Sequence, residues 1–297
     1  MSNTRTTVLR GFTINGVGAA AALTASIQAG YDEKVYSEPD GLALPIRDRA
    51  SQFVRGTVSM QDWTKAISIL TGALDTLDFY VGEAGADTFQ SHTITNPIIH
   101  RLRLDLRQGQ YGSAQFDFEC KFPSAAATIK DVWAIDTAVA APAYAAAAFG
   151  GWRFVSIAHA SISVQHVTSL DFTLTVPIFK ASNDADLGYT DVDRILSGLR
   201  ATGSIACQDS EGHESDALKL AALCEAARAS LVVTVAMHGA AADKVLTFAG
   251  CEIDAVRSNP TTRPYTEHSI DFELTNDQTT QLTLAGDNKI LTIANAA

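Results

Sequence analysis

Apolar and polar residues alternate along several stretches of this chain. Every second residue is apolar in "QFDFEC" (115–120), in "SIDFEL" (269–274) and in "SLDFTLTVPIF" (169–179). Because successive side chains of a strand point to opposite faces, each stretch predicts a strand with one buried face and one wet face. Such strands are typical of antiparallel sheets, since parallel sheets are usually covered on both faces.

Two other stretches carry the spacing of a helix. In "WTKAISILTGALD" (63–75), Trp63, Ile67, Leu70 and Leu74 follow one another at intervals of four, three and four residues, which places them on one stripe. Asp62, immediately before this stretch, is a suitable N-cap. The second predicted helix is "SDALKLAALCEAARAS" (215–230).

The same kinds of segment occur in the same order in both halves of the chain. "GTVSMQD" (56–62) and "GSIACQD" (203–209) each precede a predicted helix. The other matches are "TASIQAG" (24–30) with "HASISVQ" (159–165), "LDFYV" (77–81) with "LVVTV" (231–235), "IIHRLRLDLRQ" (98–108) with "VLTFAGCEIDAV" (245–256), and "AQFDFEC" (114–120) with "HSIDFEL" (268–274). The order of these matches predicts an internal duplication.

The predicted fold is therefore mainly β, with two tandem antiparallel β-sandwich or half-barrel domains, each with one flanking α-helix. The domains are expected at 1–123 and 151–276, each with its own core. Residues 124–150 form an Ala-rich linker or an arm that packs on a neighbouring subunit, and the tail 277–297 adds a strand or reaches a neighbour. Edge strands of such domains carry unpaired backbone groups, which a closed ring of subunits would pair.

Composition removes several classes of function. Lys and Arg total 22 against 33 Asp and Glu, a net charge of −11, and no basic cluster is present, so tight binding to nucleic acid is not expected. No apolar stretch of membrane-spanning length occurs. The four cysteines form no C-x-x-C pair, so we expect free thiols in a reducing cytoplasm rather than a zinc site or a disulfide framework.

No catalytic, cofactor or metal site is predicted. "GVGAAA" (16–21) has the glycine spacing of a dinucleotide-binding turn, but no helix pattern follows it. The two Asp-Phe-Glu triplets could hold a cation or serve acid–base chemistry, although alternation in a wet sheet explains them. His159 and His268 are interpreted as partly exposed structural residues. Residues 101–107 place three arginines and Asp105 on one face, a solvated or subunit-facing stripe.

These features resemble the tail tube proteins of long-tailed bacteriophages. The resemblance rests on the strand order, on the G-x-[VI]-x-x-Q-D strand before the helix and on the closing [AS]-[QI]-x-F-E strand, over roughly 11–123 and 151–276. It implies a small β-sandwich with one helix, and hexameric rings whose inner strands join into a continuous barrel and which stack into a tube. A chain with two such domains would form a pseudo-sixfold ring from three copies.

The resemblance also implies partners and a location. The chain would be a structural protein of the virion tail, assembled in the host cytoplasm, with no enzymatic activity and no cofactor. Its partners would be its own copies and other tail proteins such as the tape measure, terminator and baseplate, with DNA present only in transit. The alternatives are a tube-fold adaptor, terminator or baseplate protein, or a ligand-binding or enzymatic β protein that uses the carboxylate pairs or the Gly-rich start.

Two sets of residues are candidates for function in such a tube. Wet carboxylates would line the lumen, where like charge keeps DNA moving: Asp117, Glu119, Asp171, Asp271 and Glu273. The long loop predicted at 31–49 would contact the next ring through Tyr31, Glu33, Tyr36, Pro39 and Asp40. The corresponding stretch of the second half, 166–194, differs, so the two ring positions would not be equivalent.

Overall fold

The fold is mainly β and its sheets are antiparallel, which confirms these two features of the predicted fold class. It is known from a computed structural model. The structure describes residues 8–16, 22–36, 46–71, 74–82, 88–110, 112–140, 152–160, 162–164, 166–183, 186–210, 222–237, 242–259, 265–276, 281–284 and 289–295. Below, the first half means the part up to residue 140 and the second half the part from residue 152.

The first half contains eight strands and two helices in its described part. The strands are β1 (Val8–Ile14), β2 (Ala22–Tyr36), β3 (Ile46–Met60), β4 (Thr76–Gly82), β5 (Thr88–Thr95), β6 (Pro97–Arg107), β7 (Ser113–Cys120) and β8 (Trp133–Ala140). The helices are α1 (Trp63–Thr71) and α2 (Ile129–Val132).

The second half consists of strands β9 to β18 with little helix in its described part. The strands are β9 (Trp152–His159), β10 (Ile162–Val164), β11 (Val167–Thr175), β12 (Ile178–Ala181), β13 (Asp191–Arg194), β14 (Arg200–Ser210), β15 (Ala229–Met237), β16 (Lys244–Asn259), β17 (Tyr265–Leu274) and β18 (Leu291–Asn295). A short 3₁₀ helix lies at Leu196–Gly198.

Helix α1 forms where the apolar stripe predicted it. Asp62 caps its start, since one carboxylate oxygen accepts the backbone N–H of Lys65 at 3.2 Å and the hydroxyl of Thr64 at 2.6 Å. Trp63, Ile67 and Leu70 of the stripe are buried. For the second predicted helix, residues 222–225 are helical, and its predicted start near Ser215 lies outside the described residues.

One long sheet runs through both halves of the chain. Its strand order is β10-β9-β15-β16-β17-β14-β11-β6-β7-β3-β2, with β18 also paired to β16. A second sheet, β1-β4-β5-β8, belongs to the first half, and β12 and β13 form a separate hairpin. The halves meet where β6 pairs with β11, which we call the internal junction. The buried apolar residues of both halves form one cluster rather than the two separate cores expected.

Strand pairing follows the same order in both halves. In the first half β2 pairs with β3, β3 with β7 and β7 with β6, and in the second half β11 pairs with β14, β14 with β17 and β17 with β16. Strands β5 and β6 together correspond to the single long strand β16, because β4 and β8 flank β5 as β15 and β18 flank the start of β16.

Irregularities of the sheets also recur at corresponding positions. The β6–β7 register shifts between Ile99 and Arg101, and the β16–β17 register shifts between Ile253 and Ala255. The β2–β3 and β11–β14 registers shift in the same way, between Ala22 and Thr24 and between Val167 and Ser169. A bulge inserts one extra residue and bends its strand. The two halves therefore bend at the same points.

The pairings correct one match made from the sequence. Residues 24–30 were matched with 159–165, but 24–30 lie in β2, and the strand that takes this position in the second half is β11, with residues 169–175. Residues 159–164 include the end of β9 and all of β10. The match was wrong because any two strands in which apolar and polar residues alternate share similar residues at a few positions.

The repeated sequence motifs meet each other in the sheet. Gly56 lies opposite Phe118, and Gly203 lies opposite Phe272, so the glycine of each G-x-[VI] strand faces the phenylalanine of an Asp-Phe-Glu triplet. In both cases the aromatic ring covers the glycine so closely that an added Cβ would lie less than 3 Å from it. The glycines are required because the rings occupy the space of a side chain.

Parts of the segment 124–150 and of the tail 277–297 are strands. Trp133–Ala140 forms β8, which pairs with β5, so this stretch belongs to a sheet of the first half. Trp133 is half-buried, and its indole N–H donates to Nδ1 of His92 at 3.2 Å. In the tail, Leu291–Asn295 forms β18 against the first residues of β16. Residues 141–151 lie outside the described part of the chain.

Candidate functional site

Four of the five predicted lumen residues are half-buried on one face of the long sheet. Asp117 on β7, Asp171 on β11, and Asp271 and Glu273 on β17 are all half-buried and alternate with buried residues. Asp171 and Asp271 both lie opposite Ser204 of the strand between them, which fixes them on the same face. We call this side of the long sheet the polar face.

Glu119 does not face water, and the expectation that it lines a wet surface is wrong. Only 3% of its surface is exposed. The β12–β13 hairpin supplies Lys180, whose Nζ lies 3.4 Å from Oε1 of Glu119. Burial raises the pKa of the Glu119 carboxyl, and the charge and hydrogen bond of Lys180 counter this shift. Alternation placed Glu119 on the correct side of its strand but could not predict the hairpin beside it.

The polar face carries arginines as well as carboxylates. Arg101 lies 3.8 Å from Asp117, and Arg257 lies 2.8 Å from Asp271. The arginines of this face include Arg55, Arg101, Arg103, Arg107, Arg200 and Arg257. The stripe at 101–107 thus lies at the internal junction, and the face is of mixed charge rather than acidic. Ion pairs this exposed add little stability, but they reduce the net negative potential of the surface.

Two carboxylates lie directly opposite each other across the internal junction. Asp171 of β11 is the register partner of Asp105 of β6. Burial, and then the charge of Asp105, raise the pKa of Asp171, while Arg107 and Arg103 act in the opposite direction. Nε of Arg107 lies 3.0 Å from Oδ1 of Asp105, so this arginine partly neutralises the negative charge of the two carboxylates. Like charges directly opposite in a sheet are destabilising.

Replacing Asp171 with asparagine is expected to stabilise the fold by about 0.5 kcal/mol at neutral pH. A carboxyl whose pKa is higher in the folded protein takes up its proton more readily there, so its unfavourable contribution is largest above the folded pKa and disappears below the unfolded pKa. The stability gained by Asp171→Asn should therefore decrease as the pH falls from above the folded pKa of Asp171 to below its unfolded pKa. Urea unfolding at about pH 7 and about pH 4 measures both effects.

The exposed Asp136 on β8 provides the matched control. Asp136→Asn should change the free energy of unfolding little at either pH, because this carboxylate lies away from the internal junction. A loss of stability in Asp171→Asn at neutral pH would mean that the arginines outweigh Asp105 at this position.

The β12–β13 hairpin and its connecting loop add further contacts between the two halves. The backbone N–H of Gln52 donates to the carbonyl of Leu187 at 2.8 Å, and the N–H of Phe122 donates to the carbonyl of Tyr189 at 2.9 Å. The hydroxyl of Tyr189 donates to Asp32. Burial and this hydrogen bond raise the pKa of Tyr189 to about 12. The hairpin inserted in the second half thus folds onto the first half.

The predicted inter-ring residues lie on or beyond the β2–β3 hairpin. Tyr31 is 41% exposed. Glu33 and Tyr36 are paired with Arg49 and Ile46, so the chain is a strand through Tyr36 and not a loop from residue 31 onward. The alternation of 31–36 is weak, which is why the strand was missed. Pro39 and Asp40 lie outside the described residues.

The other candidate chemistry does not assemble into a site in the described residues. No cluster of three or more His, Cys, Asp or Glu side chains there could hold a metal ion. Cys120, Cys207 and Cys251 are buried and Cys224 is exposed, and none of the four forms a disulfide. His159 and His268 are buried rather than partly exposed, and Nε2 of His159 lies 3.0 Å from the carbonyl of Cys251. In the Gly-rich start, only Gly16 is described.

Two further findings bear on the class of protein. Within the described ranges, no helix has both the length and the apolar character needed to cross a membrane. In comparisons with known proteins, no family model matches the sequence and no curated protein is significantly similar to it.

Proposed function

We propose that this chain is a structural ring protein of a bacteriophage tail, and that its rings stack into the tube through which DNA leaves the virion. The observation that carries the proposal is the internal junction. Two halves with the same pairing order and the same bulges join edge to edge, through β6 and β11, into one sheet. We infer that the halves are two copies of one unit.

The arrangement of strands favours a ring. Each half contributes four strands to the long sheet between β2 and β16, so one chain contributes eight. Three chains would contribute 24 strands. With strands about 4.8 Å apart and tilted by about 40°, a barrel of this size has a backbone diameter of roughly 45–50 Å, which leaves room for a double helix between the side chains.

The polar face would line this channel. Its carboxylates repel phosphate, and Arg101, Arg107 and Arg257 each lie beside a carboxylate. A lining of opposed charges holds DNA weakly, because phosphates must compete with carboxylates for each arginine. The lining would then be of mixed charge instead of uniformly acidic, and DNA would be in contact with the protein only during transit.

The location and partners follow from the proposed role. Rings would form in the host cytoplasm and become part of the virion tail. The hairpin β2–β3 would contact neighbouring rings, and the tube would meet tape measure, terminator and baseplate proteins. An adaptor, terminator or baseplate protein built on the same rings would differ only in whether the rings stack.

Negative-stain electron microscopy of the purified chain over a range of concentrations tests the proposal. We expect rings with a central hole and threefold or pseudo-sixfold end views, which join into tubes as the concentration rises. Analytical ultracentrifugation of the same samples should give the mass of three chains for a single ring. Rings that never stack would support the adaptor or terminator role. Compact monomers at every concentration would contradict the proposal.

A further inference from the structure

We propose that β2 of one chain pairs antiparallel with residues 255–259 of β16 in the next copy, in the register by which β11 pairs with β6 inside the chain. The partner is therefore a second copy of this chain, and the inference rests on the proposed function to that extent. It adds the two edges that meet, their direction and the individual residues that face each other.

The internal junction provides the template. There, seven consecutive residues of β11, Ser169 to Thr175, face Arg107 to Arg101 of β6. Ile253 of β16 corresponds to Ile99 of β6, because each directly precedes the bulge of its strand. Ile27 of β2 corresponds to Phe172 of β11, because Ile27 pairs with Gly56 and Phe172 pairs with Gly203. The register of the internal junction can therefore be applied, position by position, to a contact between β2 of one chain and β16 of the next.

The two outer edges are open in the described part of the chain. β2 is paired only with β3 there. β16 has β18 beside Lys244–Phe248, but along Ala255–Asn259 it is paired only with β17. An open edge presents a row of unpaired N–H and C=O groups that another strand can bind. One edge of each kind per chain permits a head-to-tail contact, which repeats from copy to copy.

Burial of apolar side chains differs between the internal junction and these edges. Phe172 and Leu174 of β11, and Leu102 and Leu104 of β6, are at most 1% exposed. Ile27 and Ala29 of β2 and Val256 of β16 occupy the corresponding inward positions, and each is only half-buried although it packs against the same core. A strand added at each edge would complete their burial, as it does at the internal junction.

The transferred register gives definite neighbours. Gln28 would face Arg257, as Thr173 faces Arg103 inside the chain, and Ala29 would face Val256, as Leu174 faces Leu102. Gln28 and Arg257 are both exposed in the single chain. The like-charged pair Asp171 and Asp105 corresponds to Ser26 and Asn259, which are uncharged. The contact between chains thus lacks the repulsion found at the internal junction.

Disulfide trapping tests the register on the full-length chain. Gln28→Cys and Arg257→Cys are introduced together with Cys224→Ser, because Cys224 is the exposed thiol among the free cysteines of the described part. Mild oxidation followed by non-reducing electrophoresis should link most chains covalently. Peptide mass spectrometry should identify a disulfide that joins position 28 of one chain to position 257 of another. Within one chain β2 and β16 are seven strand spacings apart, roughly 33 Å along the sheet, so this disulfide can form only between chains.

Two matched variants control for geometry and reactivity. Thr173→Cys with Arg103→Cys joins the corresponding residues of the internal junction and should form a disulfide within the chain. Thr24→Cys with Arg257→Cys keeps an exposed residue of the same face of β2 but shifts the pairing by four residues, roughly 13 Å, which is too far for a disulfide. We expect at least about a tenfold lower yield of linked chains from this shifted pair.

The outcomes separate this inference from the proposed function. Linked species that end at three chains support both the register and a closed ring. An open-ended ladder of linked chains supports the register but contradicts the ring. Rings seen by microscopy together with absent linkage, or with equal linkage of the shifted pair, would overturn the register while leaving the ring intact. Absence of both linkage and rings would overturn both.

Discussion

Gly203→Ala is expected to destabilise the protein by about 3 kcal/mol. An added Cβ would lie 2.3 Å from Cζ of Phe272 and 2.8 Å from the carbonyl oxygen of Asp171. The carbonyl cannot move without disturbing the pairing of β11 with β14, so the ring and the strand must both shift. Gly56→Ala should have a similar effect, because its Cβ would lie 2.3 Å from the carbonyl oxygen of Ser26 and 2.7 Å from Phe118. Denaturant unfolding followed by circular dichroism measures both changes.

The neighbouring residue Ser204 supplies the control for this prediction. Ser204→Ala lies on the polar face and should change the free energy of unfolding by less than about 0.5 kcal/mol. Gly203→Ala should cost less stability when it is introduced into Phe272→Leu than when it is introduced into the unmodified chain, since the clash with the ring is then absent. If Gly203→Ala unfolds like the unmodified chain, Phe272 does not cover this glycine.

Lys180→Met is expected to destabilise the fold by about 2 kcal/mol at neutral pH. The substitution leaves the buried carboxylate of Glu119 without the ammonium group that lies 3.4 Å from it. Lys180 is itself partly exposed, so part of its charge is balanced by water and the loss stays below that of a fully buried pair. The ammonium group also lies 4.8 Å from the ring centre of Tyr189, a contact that methionine replaces only in part.

The destabilisation caused by Lys180→Met should decrease as the pH falls. Burial raises the pKa of Glu119, so the folded state binds this proton more tightly than the unfolded state. The cost of the buried carboxylate is fully present above the folded pKa and disappears below the unfolded pKa. The difference between Lys180→Met and the unmodified chain should therefore narrow as the pH falls from about 7 to about 4, which denaturant unfolding at each pH measures.

A second substitution isolates the role of the carboxylate. Lys180→Met combined with Glu119→Gln should lose less stability than Lys180→Met alone at neutral pH, because no unpaired charge remains buried. Its stability relative to Glu119→Gln should also vary little with pH. Equal losses in the single and double variants would show that Lys180 acts through packing on Tyr189 and not through Glu119.

The strands and α1 could be predicted from local patterns because their burial repeats with a fixed period. The alternation at 115–120 and 269–274 predicted β7 and β17, and the apolar stripe at 63–70 predicted the buried face of α1. Local patterns also placed Asp117, Asp171 and Asp271 on one side of their strands. These predictions succeed because each depends only on neighbouring residues along the chain.

The environment of the polar face could not be predicted in the same way. Glu119 has the same alternation as Asp117, yet it is buried because a hairpin 61 residues further along the chain lies beside it. The pairing of β6 with β11 joins residues from different halves, and no local signal states which edges meet. That pairing also sets the charges around Asp171 of β11, because it places Asp105, Arg103 and Arg107 of β6 near this carboxylate. Comparing the bulges of the two halves identifies corresponding residues more securely than matching their letters.

The internal junction also has a kinetic consequence. When two binding units are linked in one chain, their contact becomes intramolecular and forms at an effective concentration set by the linker, independent of the protein concentration. In a ring of three chains, three of the six contacts between halves would already exist before assembly, one inside each folded monomer. Assembly would then require two encounters between molecules instead of five, because the last contact of a ring closes within one assembly. Incomplete rings would contain only even numbers of units. Linking the halves therefore lowers the concentration at which rings form and reduces the number of partial assemblies.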